Sequence, residues 1–298
     1  MLKILKDSYE KIRDDNNKEG DMDTNIDNFG NDINLLNSNR TEETNIKNSS
    51  YYNIALDDII EKFFINFIKR NEHLKTKEKD NYQSVDNNDK DVVIGLGSGS
   101  TVALLVEKIA ELEGKEKFGC IPTSYQIKMV AEQCGLRFLD ESRINEIDLV
   151  IDGADQIDEK LNMIKGGGGA LFKEKILMYS AKQKVILADS QKFVSTFSLP
   201  IPIEVHPFGR VEVTKKLDEI GGCPKIRFLK KGYPFITENG NFILDTEFNN
   251  LTRKYDISGL ENKIKSIPGV IEVGIFSSTK NTTYYCVNSD GSFSTRTS

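Results

Sequence analysis

The sequence predicts an α/β fold, a parallel sheet domain joined to a smaller α+β lobe, and three observations predict it. Apolar strand-like runs at 92–96, 118–121, 149–152 and 185–188 alternate with amphipathic helical segments at 101–113, 124–134 and 170–181. The first run ends in a glycine-rich turn that opens a helix, the signature of a strand-turn-helix unit in a right-handed crossover. Late in the chain the runs shorten to 225–228, 235–237 and 242–244, joined by Lys-Gly and Asn-Gly turns and flanked by helices, which suits a small antiparallel sheet.

The elements follow in order. Residues 1–50 hold ten Asn and 11 acidic against 7 basic side chains, with scattered apolar positions, so they read as a disordered extension that cannot bury enough surface to offset its ordering entropy. Helical spacing of Ile59, Ile60, Phe63, Phe64 and Phe67 places a helix over 54–68, its aromatic stripe turned to the core, and the folded body begins near Tyr51. The polar stretch 71–91 reads as an exposed insertion. Residues 51–202 and 273–298 are assigned to the parallel domain and 203–272 to the smaller lobe, which ends with a helix over 260–267.

Composition excludes several classes of function. The 298 residues suffice for one large or two medium domains. No run approaches the roughly 18 apolar residues of a membrane-spanning helix. The net charge is −6, of which residues 1–50 carry −4, and the nearly neutral remainder has no basic stripe for nucleic acid. Cys120, Cys134, Cys223 and Cys286 stand singly and His73 is far from His206, so a zinc site is not expected. Unpaired thiols, no signal-peptide pattern and acids at Asp7, Asp14 and Asp15 point to the cytoplasm.

Four motifs carry chemistry. In Gly95-Leu96-Gly97-Ser98-Gly99-Ser100-Thr101, glycines present backbone N–H groups, Ser and Thr add hydroxyls, and the helix start adds positive potential, which together form a phosphate cradle; the same pattern also serves as a plain turn with Ser100 as cap. The third glycine of a dinucleotide fingerprint is replaced by Ser100, and no Walker lysine follows. Asp152-Gly153-Ala154-Asp155 closes an apolar strand, where two acids beside small residues suit work on a substrate or simply a turn. Lys165-Gly166-Gly167-Gly168-Gly169 is entropically costly as a linker, and its amides and lysine suit sugar oxygens and an oxyanion. Glu174 follows on the apolar arc of the next helix, a setting for proton abstraction or for a salt-bridged acid. Lys192, past the end of another strand, is within reach of a phosphate or carboxylate or is solvated, and His206 reads as structural.

Taken together, GLGSGST, IPTS, DGADQID, KGGGGALFKEK, LADSQK, PIEV and IPGVIEVGIF resemble the A-type ribose-5-phosphate isomerase family over about residues 54–292. The resemblance implies a Rossmann-like parallel sheet domain with a ferredoxin-like α+β lobe, a homodimer or homotetramer, a sugar-phosphate substrate, and neither metal nor cofactor. It implies that Ser98, Gly99, Ser100 and Thr101 hold the phosphate with Lys192. By the same resemblance Asp152 and Asp155, beside Gly153 and Ala154, handle sugar hydroxyls and ring opening, Lys165, Gly166, Gly167 and Gly168 form the glycine loop, and Glu174 is the general base. The reaction implied is ribose 5-phosphate to ribulose 5-phosphate through an enediolate, in the non-oxidative pentose phosphate pathway. The sequence departs from the family in placing Ser98 where Thr is common and Gly169 where Ala is common. Its first helix also lacks a clear phosphate lysine, with Lys62 as the available stand-in.

Overall fold

The computed structural model describes residues 51–69, 91–249 and 256–298; the expected extension 1–50 and all of the expected insertion except Asp91 lie outside them. Strands β1 (Val92–Leu96), β2 (Phe118–Pro122), β3 (Arg137–Phe138), β4 (Leu149–Asp152), β7 (Gln183–Asp189), β13 (Thr282–Val287) and β14 (Phe293–Thr297) form one sheet in the order β14-β13-β7-β4-β1-β2-β3. All its pairings are parallel except β13 with β14.

The apolar runs are continuous because both faces of this sheet are covered. Strand periodicity sends Ile94, Leu96, Leu149, Ile151, Val185 and Leu187 to one core. That core is completed by α1 (Asn53–Ile59), α2 (Ser100–Ala110) and α3 (Tyr125–Gln133), with Phe64 edge-on to Phe118 at 5.2 Å between ring centroids. Val93, Val150, Ile186 and Ala188 face the other core with Leu171, Leu177 and Met178 of α4 (Leu171–Ser180). The helix expected over 54–68 is α-helical to Ile59 and continues as a π turn over Ile60–Ile65.

The smaller sheet is antiparallel, in the order β11 (Val270–Val273), β8 (Ile201–Val205), β10 (Phe242–Phe248), β9 (Gly222–Ile226). Helices α5 (Arg210–Glu219) and α6 (Ile257–Lys265) pack on it through a third core that includes Val213, Leu217, Leu260 and Ile264. The last helix begins three residues before the expected start because the Asp256 carboxylate caps it, accepting from Gly259 N–H at 3.0 Å. Residues 227–241 are a ribbon rather than the expected strands. Turns at Gly232 and Gly240, with φ of +83° and +79°, leave room for only the single bridges Phe228 to Pro234 and Ile236 to Phe242. Short strands β5 (Gln156–Ile157), β6 (Met163–Ile164) and β12 (Ile275–Phe276) connect the layers.

Lys175 of α4 pins the two sheets together. Its buried Nζ donates to Glu261 Oε1 (2.7 Å), Glu272 Oε1 (3.0 Å), Val273 O (2.6 Å) and Ile275 O (2.8 Å). No helix among the described residues is long and apolar enough to cross a membrane.

Candidate active site

The strand order reverses between β1 and β4, the point at which an open parallel sheet leaves a crevice beyond its carboxyl ends. β1 and β4 pair through Leu96 and Ile151, so the residues following them, Gly97 and Asp152, lie side by side. A Cβ on Gly97 would stand 2.1 Å from Asp152 Cγ, which leaves glycine as the residue that fits. Gly99 has φ +93°, and it, rather than Ser100, is the N-cap of α2. No side chain caps that helix, so the first-turn N–H groups behind Ser100 and Thr101 remain available to an anion.

Beyond β4 lies a buried charge cluster. Lys165 Nζ is 2.9 Å from Asp152 Oδ2 and 3.4 Å from Glu174 Oε2, and all three side chains are at most 5% exposed. Lys165 also donates to Gly153 O at 2.5 Å. Ser98 Oγ donates to Glu174 Oε1 at 2.5 Å, and Gly153 N–H donates to Asp152 Oδ1 at 2.7 Å. Two carboxylates thus share one ammonium. Burial, and after it the Glu174 charge, pushes the Asp152 carboxyl up to about 7. Burial alone would lower the Lys165 ammonium, yet the Asp152 and Glu174 carboxylates carry it above the ordinary lysine range.

Asp155 accepts from Gly167 N–H at 2.8 Å and so holds the glycine loop. The far side of that loop is held by Arg227, which donates to Gly166 O (3.0 Å) and Gly167 O (2.9 Å) while pairing with Asp245. Lys192 stands on a single turn after β7, with Asp189 capping the turn through Gln191 N–H at 2.8 Å.

A cavity of about 560 Å³ gathers these parts. The residues to which the family resemblance gives phosphate, sugar, loop and base roles line it: Ser98 to Thr101, Asp152 to Asp155, Lys165 to Gly168, Glu174 and Lys192. A family model for ribose 5-phosphate isomerase A (phosphoriboisomerase A) matches residues 119–291. The chain belongs to the ribose 5-phosphate isomerase A family. Ribose-5-phosphate isomerase A of Methanosarcina acetivorans is 43% identical over 204 residues, 67% of this chain and 85% of the relative. The human ribose-5-phosphate isomerase is 41% identical over 212 residues, 68% of this chain and 67% of the relative. Among solved structures, ribose 5-phosphate isomerase from Plasmodium falciparum superposes with a TM-score of 0.69 at 30% identity, covering 84% of this chain and 99% of that one. The enzyme from Methanocaldococcus jannaschii gives 0.64 at 37% identity, covering 70% and 92%.

One stand-in considered for this member of the family does not reach the site. Lys62 pairs with Asp58 at 2.8 Å on the surface of the first helix and does not line the cavity. Tyr52, at the start of that helix, is buried and also outside the cavity lining, and its hydroxyl is pushed up to about 12 by burial and then by the charge of Asp189.

Several lining residues escaped the sequence reading. Thr123, Ser124 and Gln126 follow β2, and Gln126 Oε1 accepts from Gly99 N–H at 3.1 Å; the Thr-Ser pair was visible only as part of the family resemblance. Phe235, Ile236, Glu238 and Asn239 come from the smaller lobe, where the Asn-Gly turn signalled a hairpin but not the cavity wall it builds.

Proposed function

We propose that this chain is an aldose-ketose isomerase that interconverts ribose 5-phosphate and ribulose 5-phosphate, with Glu174 as the general base. The observation that carries the reading is that one cavity holds an uncapped helix start for a phosphate and, tied to it through the Ser98–Glu174 bond, a carboxylate and an ammonium 3.4 Å apart. Ser98 to Thr101 and Lys192 bind the phosphate. Asp152 and Asp155 handle the sugar hydroxyls and assist ring opening.

In the open chain, Glu174 takes the proton from C2, and the C1 carbonyl oxygen becomes the enediolate oxygen. Lys165 lies beside Glu174 and meets that developing negative charge, a role suited to an ammonium raised above its ordinary range. Glu174 returns its proton to C1, the O2 proton passes to O1, and C2 becomes the ketone. The step balances without a redox partner. A chain of this activity serves the non-oxidative pentose phosphate pathway and works in the cytoplasm as a homodimer or homotetramer.

The test is turnover of ribose 5-phosphate by purified protein in EDTA, following ketose formation, with glucosamine 6-phosphate as the comparison. Rapid ribulose 5-phosphate formation with no turnover of the amino sugar is expected. Binding of ribose 5-phosphate without turnover would overturn the proposal.

A further inference from the structure

The ribbon at 235–241 walls the cavity from the side of the smaller lobe, and it is anchored from beneath by a carboxylate that the proposed reaction does not use. Glu204 of β8 is 0% exposed. Its Oε1 accepts from Thr237 Oγ1 (2.8 Å), Asn239 Nδ2 (3.0 Å) and Asn241 Nδ2 (2.9 Å), while its buried Oε2 has no hydrogen-bond partner. Among the described residues no cation pairs with it. Three donors of the ribbon thus converge on one buried oxygen.

Toward the loop Glu204 Oε1 serves as an acceptor of all three bonds. Facing Glu204, the Asn239 amide must turn its NH₂ inward, which leaves its carbonyl Oδ1 as an acceptor. No donor among the described residues reaches that oxygen, and Asn239 is exposed and lines the cavity. The neighbouring Glu238 ties the loop on its outer side, accepting from Tyr125 N–H at 2.7 Å and pairing with Lys173 at 3.3 Å. Asn239 is therefore flanked by anchors on two sides. An amide carbonyl can accept from a sugar hydroxyl without adding negative charge to a cavity that already holds Asp152, Asp155, Glu174 and Glu238.

We propose that Asn239 is a substrate-binding residue whose Oδ1 accepts a hydrogen bond from a hydroxyl of the sugar, and that Glu204 is the positioning residue that orients its amide. The inference rests on the reading of the cavity as a sugar-phosphate isomerase site.

The test pairs steady-state kinetics on ribose 5-phosphate with calorimetric binding of phospho-erythronic acid, a phosphorylated four-carbon hydroxy acid that has no aldehyde and cannot isomerise. Asn239→Ala is expected to raise KM and Kd about tenfold while kcat stays within about threefold, as for one lost hydrogen bond. Glu204→Leu should reproduce that loss, and the double variant should be no worse than either single one because both remove the same contact. Glu204→Gln, which still offers an acceptor oxygen to the loop, should restore binding to within about threefold of the parent. Unchanged KM and Kd in Asn239→Ala would overturn the binding claim, and losses that multiply in the double variant would overturn the positioning claim. Should Glu204→Leu fail to fold, the exposed Asn239→Ala still decides the binding claim, and a tenfold loss of binding in the isosteric Glu204→Gln would overturn the claim that an acceptor oxygen at this position orients the amide. A parent that binds phospho-erythronic acid without turning over ribose 5-phosphate would sink the reaction but leave Asn239 testable by Kd; a parent that binds neither would sink both.

Discussion

The Ser98 hydroxyl donates to Glu174 Oε1 across 2.5 Å, which links the turn at the end of β1 to the proposed base on α4. The bond holds one carboxylate oxygen in place while Lys165 stands near the other. Ser98→Ala is expected to lower kcat about tenfold through the lost orientation of Glu174, and Ser98→Thr, which keeps the hydroxyl, to retain most of the activity. Steady-state kinetics on the two variants checks this, and equal losses in both would refute it.

Glu174→Gln preserves shape and removes the proton acceptor. The loss in kcat should be on the order of 10³-fold, with KM for ribose 5-phosphate near the parent value. Near-normal turnover would assign the proton transfer to another group.

The charge cluster makes a prediction about pH. Asp152 is held up to about 7 by burial and by the neighbouring Glu174 charge, so kcat/KM should fall on the acid side with a midpoint near 7. In Asp152→Asn the group that sets this limb is gone, so the limb near 7 should disappear, along with a reduced maximum. A limb that stays in place would detach it from this cluster.

Lys175→Met should destabilise the fold by about 3 kcal/mol, because it leaves the Glu261 carboxylate buried without a cation and the Glu272 carboxylate with only Lys265, 2.9 Å from its other oxygen. Burial would raise the Glu272 carboxyl, but Lys175 and the Val273 N–H outweigh it and hold it below its ordinary value. A depressed acid contributes stability above its unfolded pKa and loses it as pH falls through the folded one. The gap between parent and variant in urea unfolding should accordingly narrow as the medium is acidified.

The legible part of this molecule is the part built from local pattern. Val92–Leu96 and Leu149–Asp152 announced themselves as buried strands, and the glycines and acids just beyond them could be placed at a crevice because parallel strands share one carboxyl end. Contacts that depend on distant pairing were not legible. Lys175 reads as an ordinary helix lysine until Glu261 and Glu272, some ninety residues on, fold against it. The wall formed by Phe235, Glu238 and Asn239 was equally hidden, since an Asn-Gly turn reveals where a chain reverses and not what it reverses over. Strand β13, parallel to β7, was not among the expected strands although its Thr-Thr-Tyr-Tyr-Cys-Val run is rich in the β-branched and aromatic residues that favour strands.

The register of β4 has a practical use. Asp152 sits opposite Ile186 and next to Gly97 only in the observed alignment with β1 and β7. Sliding that strand by one position would turn the carboxylate toward the helices and bring Ile151 hydrocarbon into its place, with no change in the number of strands. Recovered turnover in a refolding assay is thus a count of correctly aligned molecules, a stricter measure than any spectrum of secondary structure.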